Sequence, residues 1–395
     1  MTVIFQRDVA GPATHAFIIG IGGYPFAKPG KPGDPVLRKV PDIPSAANSA
    51  KRMADWLIDN QDTLAAPLAS LDVLIGEAPV KAPDALYDWK GAPDTPVDEP
   101  TLANVEAAGV DWVGRVTARD GDVAFFYICG HGATLASEPV VFLTDLNADK
   151  LDRWGAFINL GQTARAFKQQ NVQTAFFFSD ACQEFLSKFE LSKTRGGARI
   201  VEPLDSFKLN EARDKVTLLS GASEGLLGYE GEWSEEASVK MGRFTQTLVQ
   251  ALDGQSVRNK GGRWVVYPGS LIEDLKPLHR LRTDWRSKPF EPSAHITPND
   301  VYPIVAPGSP RVPVLIQTDP GEEIDRFDLG VFNDDPNVFL DSCGRGSIAG
   351  RQWVARIPPS YQPHNAVAVS SDLTARYQAT FFPISPIFDA RIMIR

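Results

Sequence analysis

A histidine between two glycines, and a cysteine two residues after an aspartate, are the residues of this chain best suited to chemistry. Gly130-His131-Gly132 follows the apolar run VAFFYIC, and Asp180-Ala181-Cys182-Gln183-Glu184 follows the apolar run TAFFFS. Both runs have the length and β-rich character of strands buried on two faces. In an open α/β sheet the carboxyl ends of the strands line the ligand crevice, so an imidazole and a thiol leaving two strand ends meet there as base and nucleophile. Gly130 and Gly132 let the backbone turn sharply beside the imidazole, and the Gly132 amide can face a developing oxyanion. Cys182 stands where the strand gives way to what reads as a helix start. Amides exposed there favour a thiolate, and the Cys182 N–H is a second oxyanion donor. The expected chemistry is thiol attack on a peptide carbonyl. Taken singly, His131 also reads as a structural histidine and Cys182 as a buried, inert thiol. Their matching positions at two strand ends favour the functional reading.

Such a pair needs a sheet to hold it. His15–Gly22, Val123–Cys129, Thr174–Ser179 and Val216–Ser220 read as buried strands, with Leu71–Ile75 a weaker fifth. Between them, Ala46, Ala50, Met53 and Leu57 share one helical face behind a Ser45 cap. Leu102, Val105, Trp112, Val113 and Val116 do the same after Thr101. Alternating strand and helix predicts an α/β fold, a mostly parallel sheet flanked by helices. Gly242–Asp253 reads as a helix stopped by Gly254, and Ser270 with Glu273 as a capping box. A Pro-rich linker around Pro303, Pro307, Pro310 and Pro313 then leads into short β-type runs. The chain therefore divides into residues 1–305 and a smaller C-terminal β domain, 306–395, read as a sandwich.

Composition narrows the function classes. With 395 residues, 43% hydrophobic and 23% charged, the chain is neither disordered, collagenous nor coiled coil. A net charge of −9 lacks the footprint of a nucleic-acid or anionic-membrane binder, so neither partner is expected. Three cysteines without a C-x-x-C pair give no disulfide framework and no thiolate zinc site, and no metal is expected. The N-terminal residues carry no basic segment followed by a long apolar core, and no apolar stretch approaches 18 residues, which points to a cytoplasmic protein. GIGG at 20–23 lacks the third glycine and immediate helix of a dinucleotide loop, and no P-loop, zincin or serine-hydrolase motif occurs.

In order along residues 15–300, the segments AFIIGIGGY, SAANSAKRMADWL, TLANVEAAGVDWVGRVTARDGDVAFFYICGHG, VVFLTD, FFFSDACQE, TLLSGASEGLLGYEG and MGRFTQTLVQALDG resemble the caspase-like cysteine peptidases. The resemblance is closer to the metacaspase and prokaryotic branches than to animal caspases. The histidine about fifty residues upstream of the cysteine agrees with that family's spacing. The resemblance implies a thiol endopeptidase with His131 and Cys182 as its catalytic pair and the Gly132 and Cys182 amides as oxyanion donors. It places Asp180 where metacaspases carry the acid of the first specificity pocket, which implies cleavage after Arg or Lys. As a helix N-cap, Asp180 would touch no substrate. Asp145, Tyr229 and Glu230 fall where relatives line the substrate groove, although turn and loop roles suit them equally. The basic stretch 186–215 corresponds to a loop often cut during activation, or reads as a solvated loop. No cofactor is expected; calcium activation and an activating protein partner enter through the resemblance alone. The rival class is a non-catalytic scaffold acting through the C-terminal β domain.

Overall fold

The computed structural model describes residues 2–28, 40–185, 215–233, 238–282, 289–296, 302–348, 351–384 and 386–394. The chain forms two compact units, Met1–Val249 with Asp284–Tyr302, and Gln250–Thr283 with Pro303–Arg395. The second is therefore larger than the 306–395 stretch read from sequence, because the segment 250–283 packs with the C-terminal strands.

In the first unit, strands β1 (Val3–Gln6), β2 (Thr14–Ile21), β3 (Leu68–Gly76) and β4 (Val123–Gly130) precede His131. β5 (Gly132–Leu135), β6 (Glu138–Phe142) and β7 (Phe157–Asn159) follow it. β8 (Thr174–Ala181), β9 (Glu184–Phe185) and β10 (Val216–Ser220) surround Cys182. The central sheet has the order β1-β3-β2-β4-β8-β10 followed by Ser293–Ile296. Its four inner pairings, β3 with β2, β2 with β4, β4 with β8 and β8 with β10, are parallel, and the two edge strands are antiparallel. β2, β4 and β8 are apolar on both faces because helices cover both sides, as parallel sheets require. The fold is thus the expected α/β sheet flanked by helices.

Helix α1 (Pro44–Asp59) opens on Pro44, whose fixed φ suits the first helical position. Ser45 lies inside the first turn instead of capping it, since the residue before the helix is Ile43. Helix α2 (Leu102–Val116) has its cap at Thr101, whose hydroxyl accepts the Asn104 N–H at 3.3 Å. Helix α3 (Leu160–Phe167) is capped by the Asn159 side chain. Helix α4 (Arg243–Gln250) accounts for most of the expected 242–253 helix, and beyond it Gly254 turns the chain at φ +113°. β5, β6, β7 and β9 make a small second sheet, which the sequence reading had not separated from the loops.

The second unit contains a helix α5 (Pro268–Arg280) that starts before the expected box. The Ser270 hydroxyl accepts the Tyr267 N–H at 3.1 Å, so Ser270 works from the third helical position, and Glu273 pairs with Arg258 at 3.3 Å. The C-terminal strands form sheets of three and four: Trp353–Ile357, Val312–Asp319 and Phe388–Met393, and Phe339–Cys343, Phe327–Phe332, His364–Ser370 and Arg376–Phe381. Among the described residues no helix is long and apolar enough to cross a membrane.

Aromatic packing anchors the first unit. Phe126 on β4 meets Phe17 on β2 edge-on at 5.7 Å, Trp112 of α2 at 5.8 Å and Phe177 on β8 at 5.3 Å. The Trp112 indole donates to the His15 carbonyl at 2.9 Å, tying the helix to the sheet. We expect Phe126→Ala to cost about 3–5 kcal/mol in denaturant-induced unfolding, because three rings lose a partner at a site that cannot collapse. A loss below 1 kcal/mol would mean these rings do not anchor the sheet.

Candidate active site

β4 and β8 run parallel in register, with Cys129 opposite Asp180 and Gly130 opposite Ala181. His131 and Cys182 are therefore the next residues past two adjacent strand ends, at the same level of the sheet. Both line one cleft of about 140 Å3 with Asp180, Gly228, Tyr229, Glu230 and Gly242. The crevice lies at the carboxyl ends of the parallel strands, as the topology dictates.

The His131 ring is held at one nitrogen. Its Nε2 lies 2.9 Å from the Pro41 carbonyl oxygen, which can only accept, so Nε2 carries the proton and Nδ1 is left as the basic nitrogen. Burial lowers the His131 pKa below that of a free imidazole, so the ring is neutral near pH 7. The Cys182 thiol is half-buried, and the desolvation pushes its pKa up; its sulfur accepts the Gly228 N–H at 3.2 Å. The resting pair is a neutral thiol and a neutral imidazole. No helix follows Cys182 among the described residues. Glu184 and Phe185 form β9 and pair with β5 instead, so the expected help from a helix terminus is not what sets this thiol. The stretch 186–214, with the basic loop, lies outside the described residues.

Gly132 sits where no side chain fits. A Cβ there would stand 2.5 Å from the Cys182 carbonyl oxygen and 2.7 Å from that of Val140. The Phe142 N–H donates to the His131 carbonyl at 2.9 Å, which makes Gly132 and Val141 a pair without ladder bonds. The Gly132 N–H is thereby turned away from β6.

Asp180 is 7% exposed, and its Oδ2 accepts both the backbone N–H of Thr245, at 3.0 Å, and the Thr245 hydroxyl. Thr245 is in the first turn of α4, so the carboxylate caps that helix from a neighbouring strand while facing the cleft. The two readings of Asp180 thus concern one geometry. Burial raises its pKa to about 6 against the pull of the Thr245 bonds. Gly242, at the end of the hairpin of β11 (Glu230–Glu232) and β12 (Lys240–Gly242), makes room for the group, since a Cβ there would overlap the carboxylate.

Tyr229 and Glu230 line the cleft, as placed from sequence. Asp145 does not. Its two carboxylate oxygens each lie 3.1 Å from the Leu102 N–H, so it holds the start of α2. Tyr24, Pro41, Gly228 and Thr245 all touch the site and had not been singled out. Only Tyr24 carried a signal, a large polar-tipped ring directly after a buried strand and two glycines. Among the described residues no three His, Cys, Asp or Glu side chains converge as a metal site.

Residues 13–260 match the family model described as Caspase domain. The match covers more than half of the 395 residues, and the chain belongs to the caspase-domain family of cysteine peptidases. It is 24% identical over 222 residues to "Uncharacterized protein y4kE" of Sinorhizobium fredii (strain NBRC 101917 / NGR234), covering 51% of this chain and 58% of that relative. The chain therefore spans little more than half the length of the curated relative it matches. The crystal structure of caspase-1 from Spodoptera frugiperda aligns with a TM-score of 0.41 at 9% identity, over 76% of this chain and 97% of that one.

The raised Asp180 pKa fixes the sign of a stability effect. The folded state holds the proton more tightly than an unfolded carboxyl with a pKa near 3.9, so stability falls as pH rises from about 4 to 6, and the full cost persists above that. Asp180→Asn keeps an acceptor for Thr245 and removes the charge. We expect it to raise the unfolding free energy at pH 8, by on the order of 3 kcal/mol at most, and to lose that advantage near pH 4. A destabilised variant at pH 8 would contradict this.

Proposed function

We propose that this protein is a cysteine endopeptidase that cleaves polypeptides after Arg or Lys through a His131/Cys182 dyad. The observation that carries the reading is the shared cleft in which the thiol and an imidazole with a free Nδ1 leave two in-register strands. In the first step the sulfur attacks the scissile carbonyl carbon while the thiol proton passes to Nδ1. The developing oxyanion takes hydrogen bonds from the Gly132 and Cys182 amides. Collapse of the tetrahedral species breaks the C–N bond, and the imidazolium returns its proton to the leaving amine. Water, deprotonated by the same nitrogen, then hydrolyses the thioester.

Charge supports the basic preference. Among the described residues that line the cleft, Asp180 and Glu230 are the acids and none is Lys or Arg. A cationic P1 side chain gains from both carboxylates, whereas an acidic one adds a like charge to a poorly solvated pocket. Tyr229 and Glu230 form the rim on which the residues around P1 rest. An activating protein partner and cleavage within 186–215 belong to the same proposal as means of control.

Fluorogenic peptides with Arg, Lys, Asp or Leu at P1 test this directly. Wild type is expected to turn over the Arg and Lys peptides and Cys182→Ala none. Asp180→Asn should lose roughly 2–5 kcal/mol of transition-state binding for basic P1. Turnover surviving in Cys182→Ala would exclude the dyad, and an unchanged P1 preference in Asp180→Asn would remove that residue from the pocket. A folded wild type inactive on every peptide, also after limited proteolysis, would favour the scaffold reading.

A further inference from the structure

His131 is gripped at its backbone as well as at its ring. Beyond β2 the chain passes Gly22 and Gly23, and the fully buried Tyr24 turns back beneath the histidine. The Tyr24 hydroxyl accepts the His131 N–H at 2.8 Å and donates to the Phe142 carbonyl at 3.4 Å. In a regular antiparallel ladder those two groups would bond each other, since Phe142 N–H already donates to the His131 carbonyl. The hydroxyl is therefore a relay inserted into the ladder at the catalytic position. Gly130 leaves the room for it, because a Cβ there would stand 3.0 Å from the same oxygen. The Tyr24 ring also packs against the imidazole, with centroids 5.1 Å apart.

Asp42 closes the circuit. Its Oδ1 accepts the Tyr24 backbone N–H at 3.0 Å, and its Oδ2 pairs with Lys28 at 2.9 Å. Asp42 directly follows Pro41, whose carbonyl holds His131 Nε2, and the Ile43 N–H donates to the Gly22 carbonyl at 2.7 Å. The segments 22–24 and 41–43 are thus stitched together, and the carbonyl that selects the imidazole tautomer is carried on the stitch. Taking His131 as the base, which rests on the dyad reading, we propose that Tyr24 and Asp42 are positioning residues that keep Nε2 protonated and Nδ1 free toward the thiol.

The consequences separate cleanly from a merely structural role. Among the described residues, the ionisable groups around the imidazole are Asp42, with Lys28 behind it, Tyr24, Cys129, Asp180, Cys182 and Glu230. Of these, the Asp42 charge favours the imidazolium, so its removal lowers the His131 titration midpoint further.

The test is 15N NMR of histidine-labelled full chain, with the His131 signals assigned by His131→Gln, alongside steady-state kinetics on an Arg peptide. Wild type should show Nε2 protonated and Nδ1 bare. Tyr24→Phe should mix the tautomers and lower kcat about tenfold to a hundredfold with KM within twofold. Asp42→Asn should lower the midpoint and kcat, with Asp42→Glu restoring part of both. A wild-type tautomer and midpoint in both Tyr24→Phe and Asp42→Asn would overturn the assignment. Should Tyr24→Phe fail to fold, the partly exposed Asp42 site decides alone. The NMR readout needs no turnover, so a wild type inactive even after limited proteolysis, whose His131 signals still shift in the variants, would count against the peptidase reading and leave the hold of Tyr24 and Asp42 on the imidazole standing.

Discussion

The in-register pairing of β4 with β8 is the constraint from which the rest of the site follows. A parallel pair carries no turn that could fix its register, so the alignment comes from packing, with Phe126 against Phe177 and Phe125 against Phe178. A slip by one residue would send every side chain to the opposite face and separate the imidazole from the thiol. The aromatic density of VAFFYIC and TAFFFS has a functional meaning in this light. Large buried rings on both strands make any other register costly, and the chemistry is placed by the core.

Several features at the strand ends work against stability. A carboxyl is buried, a thiol and an imidazole are desolvated, and glycines stand where a side chain could not enter. Each cost is limited locally. Thr245 satisfies Asp180, Gly228 satisfies the sulfur, and Pro41 satisfies the ring nitrogen. Two of the three partners are backbone groups, whose positions the fold sets before any substrate arrives. That is electrostatic preorganisation built from peptide units.

Much of this was legible in the sequence. The strands β2, β4, β8 and β10 are continuous apolar runs, which only burial on both faces explains, and His131 and Cys182 follow two of them directly. Asp180 reaches the cleft because it lies at the end of β8, whereas Tyr229 and Glu230, well beyond the end of β10, were legible only through the resemblance. What escaped depended on contacts distant in sequence. Tyr24 meets His131 over more than a hundred residues, and Thr245 meets Asp180 over 65. Asp145 shows the converse, since its type and place suited a groove while an unsatisfied helix N–H claimed it. The helix expected after Cys182 rested on local pattern alone, and pairing with β5 prevailed there. The small sheet of β5, β6, β7 and β9 was invisible because its strands are short and its partners non-local.

The stretch from Gly228 to Thr245 binds the sulfur, forms the rim with Tyr229 and Glu230, makes room for Asp180 with Gly242, and fixes that carboxylate. One short piece of chain thus walls the cleft and holds Asp180 in place, beside the strand ends that bear His131 and Cys182. The wall can therefore change its side chains without disturbing the register of β4 and β8, because none of its residues belongs to that strand pair.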